Sequence, residues 1–156
     1  MLVSDAIDRI RLATHDITEE YTDYECVNYL NEAVHQIAST LMGGASPFMV
    51  KTTTLKTGDT LPVGFCRTCG TFPFRITGGK VELLTDAEEL PVRYFSQPEL
   101  LTDATGEAMP FDQEQLNELA VRLAVIYASN ENEFDVTQDT NIMQMIAQAT
   151  QKGFSG

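Results

Sequence analysis

Cys66-Arg67-Thr68-Cys69-Gly70 is the spacing in this chain that most resembles metal chemistry. Cys-x2-Cys offers two thiolates to a tetrahedral zinc, and a glycine after the second cysteine suits the knuckle of such a half-site. No second half-site follows in the sequence. The remaining candidate ligands are Cys26, on a predicted helix, and His15 and His35, at a predicted helical hairpin. A thioredoxin-like redox site is not indicated either, because Cys66 does not stand between a strand and a helix start in a βαβ setting. The pair reads as two loop thiols, reduced in the cytoplasm and incidental to function, and no metal or cofactor is expected. His15 and His35 have no serine, cysteine or carboxylate beside them in a nucleophile pattern. The acidic clusters Glu19-Glu20-Asp23 and Asp86-Glu88-Glu89 lack the alternating oxygen ligands and central glycine of a calcium loop. Gly43-Gly44 and Gly78-Gly79 lack the Lys-Ser/Thr and the strand-to-helix setting of a phosphate loop. With no nucleophile, base and oxyanion site to assemble, the chain is expected not to be an enzyme.

The elements that carry these residues follow from periodicity. In Tyr21 to Leu41, Thr22 and Glu25 form a capping box, and Val27, Leu30, Val34, Ile37 and Leu41 recur at spacings of three and four. Ser4 is expected to open an earlier helix through about Thr14, with Ala6, Ile7, Ile10 and Ala13 on its apolar side, so residues 1–42 read as a helical hairpin. Gly43-Gly44-Ala45-Ser46-Pro47 breaks the helix, and residues 43–110 read as β-rich. Strands are expected over Phe48–Leu55, from Thr60-Leu61-Pro62-Val63, over Phe72–Ile76 and Lys80–Leu84 around a tight turn at Thr77-Gly78-Gly79, and over Leu90–Phe95. Prolines at 62, 73 and 91 favour edge strands or irregular ribbons over a deep central sheet. Residues 111–156 return to the helical period: Leu116, Leu119, Ala120, Leu123, Ile126 and Tyr127 form one stripe. A last helix starting near Thr137 to Asp139 presents Ile142, Met145, Ile146 and Ala149 and ends at Lys152-Gly153. The expected fold is therefore α+β and mainly α: a single domain in which two N-terminal and two C-terminal helices make a small bundle around a β-rich central insertion.

A chain of 156 residues with 43% hydrophobic content can bury a core without staples. No apolar run is long enough to span a bilayer, and MLVSDAIDRI lacks the basic start and apolar core of a signal peptide, so a cytoplasmic protein with no membrane partner is expected. The net charge of −13 comes from 23 acidic and 10 basic residues. Without a basic stripe, grip on a phosphate backbone by counterion release is not expected.

The phrases Tyr21-Thr22-Asp23 and Tyr29-Leu30-Asn31-Glu32-Ala33 resemble the opening of head-to-tail adaptor proteins of tailed double-stranded DNA bacteriophages. Later landmarks agree in order: Leu61-Pro62, Pro91-Val92-Arg93-Tyr94 running into Gln97-Pro98-Glu99-Leu100, Met109-Pro110, and the helix Leu116 to Ala128 closing on Asn130-Glu131. The resemblance implies a virion structural protein at the head-tail junction, assembled in the host cytoplasm. About twelve copies would form a ring beneath the portal protein, extend the DNA channel and offer a docking surface to the next tail or tail-tube protein. DNA would pass through an acidic lumen without specific binding. The implied portal contacts are Ile142, Met145, Ile146 and Phe154, and the implied ring or tail contacts are Thr77, Gly78, Gly79, Lys80, Tyr94 and Phe95. The rival expectation is a zinc-stabilised protein interaction module in which Cys66 and Cys69 nucleate the β segment.

Overall fold

The computed structural model describes residues 1–14, 21–102, 106–129 and 144–148. Its order is helix α1 (Val3–Ala13), helix α2 (Asp23–Gly43), a 3-10 turn (Pro47–Met49), strands β1 (Val50–Leu55), β2 (Phe65–Thr68), β3 (Phe74–Thr77), β4 (Lys80–Leu83) and β5 (Leu90–Ser96), and helix α3 (Glu114–Ser129). One further helical turn occupies 144–148, in the middle of the last expected helix; the expected start of that helix lies outside the described residues. The fold is α+β and mainly α, with a central β insertion. The chain divides into two compact units, a helical one of Met1–Thr40 with Leu100–Gly156 and a β one of Leu41–Glu99. The expected segments meet at 42 and 110, whereas the compact units divide at 40/41 and 99/100. The second boundary falls earlier because the segment before α3 belongs to the helices. Leu101 is buried and is held by Asn31 of α2, and Ala108 bridges to Leu2.

In the helical unit Thr22 caps α2: its hydroxyl accepts from the Glu25 N–H at 3.1 Å, and the Glu25 carboxylate faces that hydroxyl at 3.4 Å. All of Val27, Leu30, Val34, Ile37 and Leu41 are buried, as the spacing predicts. Helix α1 begins one residue before Ser4, with Leu2 at the cap position, and Ala6, Ile7 and Ile10 are buried. Ala13, expected on the apolar side, is exposed instead, because the stripe ends at Ile10 and the last turn of α1 leaves the core. Arg11 ties the two helices together, donating to the Tyr21 carbonyl at 2.8 Å and pairing with Asp23 at 2.8 Å. Helix α3 buries Leu116, Leu119, Ala120 and Leu123 as expected, and also Val121, Ala124 and Ala128, so it is enclosed on more than one face.

In the β unit the sheet order is β1-β5-β2, all antiparallel, and β3 and β4 form a separate hairpin. Leu55, Val81 and Val92 make a shared core, with Leu61, Phe72, Phe74, Leu83 and Leu90 packed against it. The strand expected from Thr60 is absent among the described residues. Pro62 accepts from the Phe65 N–H in a turn, Gly64 takes φ +84, and strand pairing starts only at Phe65. Pro91 lies in the central strand, contrary to an edge position. The sheet tolerates it because β2 pairs with β5 only as far as Tyr94, leaving Pro91 with β1 alone.

Candidate functional site

The hairpin tip is built as the sequence requires. Thr77 pairs with Lys80, and Gly78 (φ 59) and Gly79 (φ 77) form the two-residue turn between them, both in the left-handed region that favours glycine. All four residues are exposed. Behind the tip Arg75 grips Glu82 through two hydrogen bonds, at 2.9 and 3.1 Å, and the Thr77 hydroxyl donates to the same carboxylate at 3.1 Å. The Arg75 hydrogen bond, then the Thr77 hydroxyl and the Arg75 charge, hold the Glu82 carboxyl below its ordinary pKa. Ile76, 45% exposed, adds an apolar side chain to this rigid tip. The hairpin thus offers the paired Arg75 and the Thr77 hydroxyl on one face and Ile76 on the other.

Tyr94 and Phe95 do not share that surface. They are 5% and 4% exposed. Tyr94 stacks on Phe65 with ring centroids 5.3 Å apart, and the Arg67 guanidinium lies 4.8 Å over the Phe95 ring. Their side chains hold the β unit together, and the expected contact role is corrected to packing. The reason is alternation along β5: Tyr94 lies on the face with Val92, and Phe95 is covered by Arg67 from β2.

The residues expected at the portal divide similarly. Ile142 and Phe154 lie outside the described residues. Ile146 is fully buried, so it serves the core of the helical unit rather than a contact surface. Met145 is half-buried and lines an open groove of about 550 Å³ with Arg9, Ala13, Val121, Arg122 and Ile126. The groove walls are mostly apolar, with Glu118 beside the two arginines.

Cys66 is exposed at a bulge in β2, Cys69 is half-buried at the strand's end, and Cys26 is buried in α2. The Cys66 thiol donates to the Gly64 carbonyl at 3.4 Å. Among the described residues no three histidine, cysteine or acidic side chains gather closely enough to hold a metal ion. His35 is exposed and His15 lies outside the described residues. No helix among the described residues is long and apolar enough to cross a membrane.

Charge is partitioned between the units. The helical unit holds seventeen acidic and four basic residues, and the β unit holds six of each. The whole net charge of −13 therefore belongs to the helical unit. Two asparagines escaped sequence reasoning. Asn31 and Asn117 each bond both the N–H and the C=O of one backbone residue, Leu101 and Phe111 respectively. An asparagine on a helix carries no signal of which backbone residue it will clamp, whether 70 residues away as for Asn31 or six as for Asn117.

Compared with known proteins, the chain matches no family, and no curated protein matches it.

Proposed function

We propose that this chain is a non-enzymatic structural protein of a tailed-phage virion: a head-to-tail adaptor whose copies form a ring beneath the portal protein. The order of the helical and strand phrases along the chain suggests the family. The observation that carries the reading is the charge partition, with a β unit of zero net charge and a helical unit of −13. A ring of such copies concentrates carboxylates on one set of surfaces. A channel lined by them repels the DNA phosphate backbone and lets it slide without sticking. The neutral β unit, with its rigid hairpin tip, is then the part suited to contact neighbouring copies or the next tail protein.

The portal contact falls to Met145 with the groove around it, and to the segment beyond Gln148 that includes Phe154. Since Ile146 is buried, the chain is best truncated after Gln148, which leaves the core residue in place. The expected result is a folded protein that no longer loads onto portal rings in a pull-down. Full-strength loading by the truncated chain would assign the contact elsewhere.

A further inference from the structure

The two faces of the β1-β5-β2 sheet carry unequal positive charge, Lys51 on one and two arginines on the other. Strand alternation and register place Val50, Thr52, Thr54, Pro91, Arg93, Phe95 and Arg67 on the second face, where all but half-buried Val50 and buried Phe95 are exposed. No strand residue on that face is acidic. Arg67 sits opposite Phe95, and Arg93 is two residues along β5, so the two arginines are diagonal neighbours, about 7–8 Å apart at the backbone. Among the described residues neither forms an ion pair; the Arg67 guanidinium donates to the Met42 carbonyl and lies over the Phe95 ring. Two exposed arginines, one of them anchored by those contacts, flanked by threonines, form a surface for paired carboxylates.

The same chain carries a matching set. On α1, Asp5 and Asp8 are three residues apart, hence about 5–6 Å between their Cβ atoms, and Leu12 continues the stripe. Both aspartates are exposed and make no ion pair among the described residues, and Leu12 is 79% exposed. Arg9 lines the groove and, four residues after Asp5, forms no ion pair with it among the described residues. Charge also limits which surfaces of two copies can meet. Contact between two helical units opposes −13 to −13, whereas contact of a β unit with a helical unit does not.

We propose that the Arg67–Arg93 sheet face of one copy docks on the Asp5–Asp8–Leu12 face of α1 in a second copy. The contact is head-to-tail, so each copy offers one of each surface and repetition gives a ring or a filament according to the rotation per step. It deepens the adaptor reading by naming the surfaces that join its copies, and it rests on that reading for the setting in which copies meet.

The test uses full-length protein carrying Cys69→Ser, labelled at the exposed Cys66 with a photoactivated benzophenone and irradiated at about 0.15 M salt, where local contacts outweigh net repulsion. Peptide mass spectrometry should map crosslinked dimers to the α1 segment of the second copy. R67E/R93E, or Arg93→Glu alone should loss of the Arg67 contacts disturb folding, should lower the dimer yield by about tenfold. Mixing labelled R67E/R93E with unlabelled D5R/D8R should restore it, while each of these labelled alone stays uncrosslinked. Absence of dimer, mapping to another segment, or a yield indifferent to the charge reversals would overturn the proposal. So would binding of duplex DNA that is lost in Arg93→Glu without any crosslinked dimer, which would reassign the face to phosphates. Portal loading of the unlabelled protein separates the two readings: loading without the crosslink removes this contact alone, and the crosslink without loading keeps the contact and removes the adaptor reading.

Discussion

Replacing Asn117 by alanine should destabilise the helical unit more than replacing any other single polar residue described in it. Asn117 is 1% exposed, accepts from the Phe111 N–H at 3.1 Å and donates to the Phe111 carbonyl at 2.8 Å. Both bonds are buried, so truncation leaves an N–H and a C=O without partners in a place water does not reach. At about 1–2 kcal/mol for each of the two orphaned groups, the lower part of the usual range because the neighbouring backbone can relax, the loss comes to about 2–4 kcal/mol. For a chain of this size that corresponds to about 4–16 °C in melting temperature. Asn31→Ala removes an equivalent pair of bonds to Leu101, at 2.7 and 3.1 Å, in a half-buried setting, so about 1–2 kcal/mol is expected. Urea titration followed by circular dichroism at the helical band measures both. With two compact units, the loss should appear in the helical transition and leave any separate β transition in place. A cost below about 1 kcal/mol for Asn117→Ala, or a larger cost for Asn31→Ala, would refute the reasoning that burial of the clamp sets its value.

Gly64→Ala should cost more than Gly70→Ala. Both glycines have positive φ, but a Cβ at Gly64 would stand 2.5 Å from the Gln97 carbonyl oxygen, whereas at Gly70 it meets nothing within 4 Å. Thermal melts should show about 1–2 kcal/mol for Gly70→Ala and clearly more for Gly64→Ala. For Glu82 the folded pKa lies below the ordinary value of 4.5, so its contribution to stability is present above that pH and is lost as pH falls through the folded value. Glu82→Gln should therefore flatten part of the stability loss in acid and leave the profile above neutrality unchanged in shape, as read from urea midpoints across pH. Cys66→Ser/Cys69→Ser should keep the wild-type melting temperature with or without chelator; stoichiometric zinc by elemental analysis, with melting of the β unit on chelation, would restore the interaction-module rival.

Helices α1 and α2 were legible because their large apolar side chains recur on one periodic stripe: the five apolar positions of α2 share a face that must be covered. The β3-β4 hairpin was legible for a local reason, since Gly78-Gly79 fits a two-residue turn whatever the tertiary setting. What escaped depends on distant partners. Pro91 stands in a central strand because β2 is short, a fact of another segment's length. Tyr94 and Phe95 looked like contact residues, yet Phe65 and Arg67 cover them from thirty residues upstream or nearly so. Ile146 carries no mark distinguishing core from interface, because both need an apolar side chain at helical spacing. The Arg67–Arg93 pair was invisible for the same reason, since only the register places the two side by side.

Native mass spectrometry of the protein, alone and mixed with a portal ring, tests the central claim most directly. The adaptor reading predicts a zinc-free protein that loads onto the ring in about a dozen copies. A zinc-bearing monomer or dimer that ignores the portal would contradict it and move attention to the segment around Cys66 and Cys69.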